Sequence, residues 1–216
     1  MGIEKTHVKP ISDLGGTDPF PLFSEEAANL MKWEVFQDKE LVRKYGRLPN
    51  LSKGSNTRDF QVSGFAESTR FTKAAWTHPK TQEIINRIVG INLKMPHVFS
   101  MGHVNASLAE RVDGVVTEMP EEELKALKEE HTKNSENIPS SLHWHYDSPP
   151  MVCVTMLSAP ENMIGGETGL RKGDETFVTV PNPKVGYATL LQGRVVKHIA
   201  TKPINKCDRI SFVTSY

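Results

Sequence analysis

From residue 151 onward the chain breaks into short strand-like runs, at 151–157, 167–171, 175–180, 187–191, 195–200 and 209–215. Runs of five to seven residues are too short for stable helices, and their β-branched content suits a pleated surface. Lys172-Gly173-Asp174 and Pro181-Asn182-Pro183 supply turns between them. With strands expected near Val104 and His145, the tally reaches about eight. Eight short strands joined by tight turns predict a mainly β fold, two antiparallel sheets rolled into a jelly roll (double-stranded β-helix).

The first part of the chain follows another rhythm. Residues 1–21 are rich in Gly and Pro and read as an extended arm. Ser24 followed by Glu25 and Glu26 is an N-cap with acids in the first turn, so a helix is expected to run to about Tyr45 and close at Gly46. Leu30, Trp33, Phe36 and Val42 form its expected core-facing stripe. Residues 47–64 read as loop with a short strand at 60–62. A second helix is expected at 67–76, and a third opens at His78-Pro79 with an Ile84, Ile85, Ile88, Val89 stripe and ends at Gly90. Residues 95–109 alternate as first strands, with Val98, Val104 and Leu108 inward. The Glu- and Lys-rich stretch 119–135 predicts an exposed helical insertion with a solvated face. The expected organisation is one domain over 1–216, with helical support in 1–94 and a β core in 95–216.

Composition narrows the partners. Twenty-six basic residues balance 26 acidic ones in 216 residues. No global field therefore recruits nucleic acid or an anionic membrane, and a small neutral or zwitterionic partner is expected. Cys153 and Cys207 sit in apolar surroundings and are expected as free thiols rather than a disulfide framework. No run of 18 apolar residues occurs, and the N-terminal ten residues are polar, which predicts a cytoplasmic protein.

The chemistry concentrates in His143-Trp144-His145-Tyr146-Asp147. On a strand, alternate side chains share a face, so His145 and Asp147 point together while Tyr146 turns away. His198, 51 residues after Asp147, supplies a third ligand from another strand. Two imidazoles and a carboxylate on one face of an ion suit a non-haem Fe(II) site with open positions opposite. Arg209 follows His198 by 11 residues, with Ser211 two further on. A guanidinium grips a carboxylate through two charge-assisted hydrogen bonds, and Ser211 shares its strand face.

His-x-Asp, a distant His and Arg-x-Ser, over roughly 95–216, resemble the Fe(II)/2-oxoglutarate-dependent oxygenases. Stretches such as 144–158 and Gly165-Gly166-Glu167-Thr168 look most like fungal small-molecule members. The resemblance implies Fe(II) on His145, Asp147 and His198, 2-oxoglutarate as co-substrate held by Arg209 and Ser211, O₂ as oxidant, and release of succinate and CO₂. It also implies hydroxylation, desaturation or ring closure of a small molecule, such as an amino acid or fungal secondary-metabolite intermediate. Related halogenases carry a small residue where Asp147 stands, so its carboxylate argues against halogenation.

Around this set, Asn105 is a candidate partner of 2-oxoglutarate or substrate, and Thr168 and Arg171 are candidates for a substrate carboxylate. The glycines before Glu167 either bend the chain beside the cofactor or form a plain turn. His143 is expected to support its neighbours, and cupin-type ligation through His143 and His145 lacks a following glutamate. His103 and His131 show no matching partner. Two rival classes share the ligand types: a jelly-roll protein that binds metal and 2-oxoglutarate without turnover, and a zinc-dependent enzyme. Neither rival explains Arg-x-Ser as well as the oxygenase does. Tyr216 lies five residues past Ser211, and the resemblance leads one to expect a further segment, or a partner, covering the site.

Overall fold

The computed structural model describes residues 8–48, 59–116, 119–133, 140, 143–158, 163–181 and 184–216. The described residues form a mainly β protein with antiparallel sheets and five α-helices. The larger sheet has the order β1 (Phe20–Pro21), β10 (Tyr187–Leu191), β7 (Val152–Ser158), β12 (Arg209–Ser215), β4 (His103–Ser107), β3 (Asp59–Val62) and β2 (Gly46–Arg47). A three-stranded sheet consists of β11 (His198–Ala200), β8 (Thr168–Arg171) and β9 (Phe177–Val180). β5 (Arg111–Val112) and β6 (Val115–Val116) make a separate hairpin. Part of the expected turn at 181–183 lies outside the described residues, as do residues 134 and 135 of the charged stretch.

Period-two alternation gives the larger sheet two unlike faces. Ile210 and Phe212 of β12, Val104 and Ala106 of β4, Val62 of β3, and Cys153 and Leu157 of β7 enter the main core. The intervening side chains, among them Arg209, Ser211, Asn105, Gln61, Val152 and Val154, line a cavity on the other face. Val152 and Leu191 continue from that face into a second apolar cluster with Leu170 and Val196, which closes the smaller sheet against the larger one.

The helices α1 (Glu25–Phe36), α2 (Lys39–Tyr45), α3 (Arg70–Thr77) and α4 (Pro79–Val89) contribute to the main core, and α5 (Glu121–Lys133) is the charged helix. The single helix expected from Ser24 to Tyr45 is in fact two. Ser24 caps the first as expected, accepting the Ala27 N–H at 3.2 Å. Asp38 then takes an extended conformation and its carboxylate accepts the Glu40 N–H at 2.9 Å, so a local side-chain bond ends one helix and starts the next.

The expected stripe on α1 also changes. Ala28, Met31 and Val35 are buried, whereas Leu30 and Trp33 are 39% and 58% exposed. The expectation followed the largest apolar residues, and the helix instead packs through a small one, Ala28. Glu34 accepts the N–H groups of Phe71 and Thr72 at 2.8 and 2.7 Å, capping α3 from α1. The helix expected at 67–76 opens as a 3₁₀ turn, Ala66–Ser68, before α3. In α4 the His78 cap, Pro79 start and left-handed Gly90 stop follow the sequence, but Thr81 and Ile85 are the buried positions and Ile88 is exposed. Val98 lies in a 3₁₀ turn rather than a strand, while Val104 is buried in β4.

Phe212 is completely buried under β12, with its ring 6.0 Å from that of Phe65. Phe212→Ala should cost about 3–5 kcal/mol. Chemical denaturation reads this as a lower midpoint, with the denaturant slope retained if the fold is otherwise kept.

Candidate metal centre and ligand cavity

A cavity of about 450 Å³ lies between the two sheets, and His145, Asp147 and His198 stand in its wall. His198 opens β11, where pairing to β8 fixes it. The segment before Asp147 was expected as a strand; it makes only a bridge, His145 opposite His198. Reciprocal main-chain bonds of 3.1 and 3.0 Å join the two histidines, and the Asp147 N–H donates to the Gly193 carbonyl at 2.8 Å. Pro149 and Pro150 follow after Ser148 and have no N–H to extend the ladder. The expected facing holds, since Tyr146 is 57% exposed.

Each histidine donates Nδ1–H to a main-chain carbonyl: His145 to His143 at 2.8 Å and His198 to Val196 at 2.9 Å. Those bonds commit each Nδ1 as a donor and turn both Nε2 atoms toward the cavity, where a metal would take the place of any proton they carry. His145 Nε2 lies 3.8 Å from Asp147 Oδ1, and His198 Nε2 lies 3.2 Å from Oδ2. One ligand atom from each of the three residues falls within 4.8 Å of the others. This donor set, two imidazoles and a carboxylate already converged, fits a divalent metal. His143 does support the site, through its main-chain oxygen.

Burial and the positive His198 lower the His145 pKa. Burial also acts to lower His198, but the hydrogen bond and charge of Asp147 outweigh it and the pKa is raised. For Asp147, burial acts upward, yet the hydrogen bond from His198 and the nearby histidine charges bring the carboxyl below its ordinary value.

Gly193 is a residue that sequence reasoning missed. A Cβ there would lie 2.6 Å from Asp147 Oδ2 and 2.7 Å from its Cβ, so only glycine lets the turn carry Asp147 this closely. The spacing Gln192-Gly193-Arg194 before His198 was visible, but its meaning depends on tertiary contact.

Farther along the wall, Arg209 is 4% exposed. Its Nε–H donates to the Gly166 carbonyl at 2.5 Å and one terminal nitrogen donates to Ser211 Oγ at 3.2 Å. Burial pushes its pKa down to about 10, against the pull of Glu167. Among the described residues no carboxylate forms an ion pair with it; Glu167 is instead held by His131 Nε2 at 3.0 Å and by the Thr201 hydroxyl. Gly165 and Gly166 have φ of 77° and 78°, and a Cβ on Gly166 would sit 3.2 Å from Arg209 Cδ. The glycine pair therefore braces the arginine.

Asn105 and Thr168 also line the cavity. Arg171 is not part of that lining: its guanidinium lies 4.9 Å from the Trp144 ring and donates to the Glu175 carbonyl. His103 and His131, expected to lack partners, have them in Asn105 and Glu167.

No protein-family model matches the chain, and no curated protein sequence does. Solved structures do match. The non-heme alpha ketoglutarate dependent carbocyclase SnoK from nogalamycin biosynthesis superposes with a TM-score of 0.61 at 12% identity, covering 92% of this chain and 78% of that one. The epimerase SnoN from the same biosynthesis gives 0.54 at 12% identity, covering 92% and 76%. A prolyl hydroxylase from Trichoplax adhaerens, solved with a hypoxia inducible factor peptide fragment, gives 0.52 at 10%, covering 92% and 81%. The chain has the fold of 2-oxoglutarate-dependent non-haem iron enzymes. At this identity the likeness is one of fold.

Two outcomes follow from the geometry. Gly193→Ala should displace the Asp147 carboxylate and weaken Co(II) binding by about 10- to 100-fold, while far-ultraviolet circular dichroism stays native. Because metal must displace the proton that Asp147 helps His198 retain, affinity should fall as pH drops through and below the raised His198 pKa. Titrations at a series of pH values should show proton release on metal uptake, and a pH-independent affinity would contradict the arrangement.

Proposed function

We propose that this protein is an Fe(II)- and 2-oxoglutarate-dependent oxygenase acting on a small molecule through a jelly-roll core. The observation that carries this reading is Arg209, a buried cation with no carboxylate ion pair among the described residues, in the same cavity as three converged candidate metal ligands. A buried guanidinium left uncompensated costs free energy, and an incoming carboxylate would offset that cost. A zinc hydrolase or bare metal-binding protein has the same use for His145, Asp147 and His198 but none for Arg209.

In this reading His145, Asp147 and His198 hold Fe(II), and Arg209 and Ser211 take the far carboxylate of 2-oxoglutarate. Bound iron would supply activation of O₂, with 2-oxoglutarate as electron donor, succinate and CO₂ as co-products, and an unactivated carbon as target. The protein's own part is placement. Arg209, braced by the Gly166 carbonyl and Ser211, sets the direction of the co-substrate. The Nδ1 bonds of both histidines keep the ligand rings from rotating. Val152, Val154, Leu191 and Val213 give the cavity an apolar wall that limits water near the reacting centre. Thr168, in the same wall, is available to the substrate. Hydroxylation, desaturation and ring closure all fit, and an amino acid or fungal secondary-metabolite intermediate is the substrate class we favour.

Under air with Fe(II), the protein should form succinate from 2-oxoglutarate, and His145→Ala, Asp147→Ala and His198→Ala should each abolish it. Arg209→Ala should raise the 2-oxoglutarate requirement by about 30-fold to several thousand-fold, corresponding to roughly 2–5 kcal/mol, with metal affinity nearly intact. Identical 2-oxoglutarate titrations for the wild type and Arg209→Ala would sink the assignment.

A further inference from the structure

Four consecutive strands place a row of polar side chains across the cavity wall. The register pairs Ser211 with Asn105, Asn105 with Gln61, and Gln61 with Arg47. Residues directly opposite in an antiparallel ladder share a face, and all four line the cavity. Three strand spacings separate Ser211 from Arg47, about 14 Å. The row begins beside the buried Arg209 and ends at a second arginine, which is exposed.

The hydrogen bonds along this row can run in one direction only. Arginine has no acceptor, so the Arg47 Nε–H donates to Gln61 Oε1, at 3.2 Å. Gln61 must then present Nε2 to its neighbour, and it donates to Asn105 Oδ1 at 2.8 Å. His103 Nε2, 3.2 Å from the same oxygen, must likewise be a donor. Burial and the Arg47 charge keep His103 below its ordinary pKa, so it donates as the neutral ring. With Asn105 Oδ1 occupied twice, its amide nitrogen is what remains to face a ligand, and among the described residues that nitrogen has no acceptor. The terminal nitrogens of Arg47 likewise have none among the described residues. The unused polar groups of Arg47 and Asn105, at the outer end of the row, are therefore N–H donors.

Apolar surface stands beside it. Phe99 is 76% exposed, lines the same cavity, and lies 3.3 Å from where a Cβ of Gly64 would be, on the rim that follows β3. A positive φ of 83° at Gly64 permits that approach.

We infer, resting on the oxygenase reading above, that Arg47 with Gln61 and Asn105 forms a second anion subsite at the outer end of the cavity, and that the substrate is a small carboxylate whose apolar part packs on Phe99. In that reading both carboxylates of 2-oxoglutarate are already engaged, one at the metal and one at Arg209, so the outer donors are surplus to the co-substrate. They determine specificity, selecting an acid over its neutral analogue, and Arg47 supplies the charge.

Phenylacetate and phenylacetamide are suitable probes, because they share an aromatic body and differ in charge. Binding is measured calorimetrically to the protein loaded with Co(II) and 2-oxoglutarate in the absence of O₂. The wild type should prefer phenylacetate by about tenfold. Arg47→Gln should erase the preference, Arg47→Lys should retain part of it, and 2-oxoglutarate affinity should be unchanged in both. Four results would overturn the subsite: no saturable phenylacetate binding, equal binding of acid and amide by the wild type, an undiminished preference in Arg47→Gln, or phenylacetate competing with 2-oxoglutarate. A loss of 2-oxoglutarate affinity in Arg47→Gln would also overturn it and assign Arg47 to the co-substrate. Failure of the oxygenase reading itself appears elsewhere, as an Arg209→Ala variant that binds 2-oxoglutarate normally.

Discussion

The larger sheet separates two incompatible environments by a single rule, the alternation of side chains along each strand. In β12, Ile210 and Phe212 enter the helix-covered core while Arg209 and Ser211 enter the cavity. The neighbouring strand does the same with Val104 and Ala106 against His103 and Asn105. A slip of one residue in β12 would turn the Arg209 guanidinium toward the apolar core and Phe212 toward the cavity, and the same slip in β4 would bury His103 and Asn105 there. Register is therefore held by the cost of that exchange, and the geometry of the candidate site follows from core packing. The β-bulge between Ile210 and Ser211 against β7 lies at the Arg209 end of the strand, a common place for a ladder to re-aim a side chain.

Much of this was legible beforehand. The strand at 209–215 and the pairing of Arg209 with Ser211 depend only on period-two alternation, which a sequence displays directly. The three candidate metal ligands were legible for a related reason, since His145 and Asp147 are separated by one residue and His198 opens a strand-like run. Residues whose importance lies in another segment's position were not legible. Gly193 matters because Asp147 passes over it, and Arg47 because β2 pairs with β3 at Gln61. Neither contact leaves a periodic trace. The stacking of Arg171 on Trp144 was not legible either, because an arginine beside a strand looks free in the sequence whatever ring stands against its guanidinium. The stripe on α1 was misjudged because hydrophobic size was read as burial, whereas close approach of the helix to the sheet favoured Ala28.

The charge on Arg209 remains available for a ligand only because nearby carboxylates are otherwise engaged. Glu167, whose charge is felt at Arg209, is bonded to His131 of α5 and to Thr201. Asp59 lies in the same transverse row, two strands from Arg209 through Ser107, about 10 Å by strand spacing. It is almost completely buried and is paired with Lys202, while accepting the Ser107 hydroxyl at 2.7 Å. Either carboxylate, if free to swing, would lower the cost of burying Arg209 and compete with an incoming anion. Their fixed pairings prevent this. The buried Asp59–Lys202 pair, which from stability alone would have little advantage over two apolar residues, acquires a reason in the cavity's electrostatics. It holds a negative charge in place, neutralised, two strands from Arg209, the cation that under the proposed function must stay unpaired to take a carboxylate.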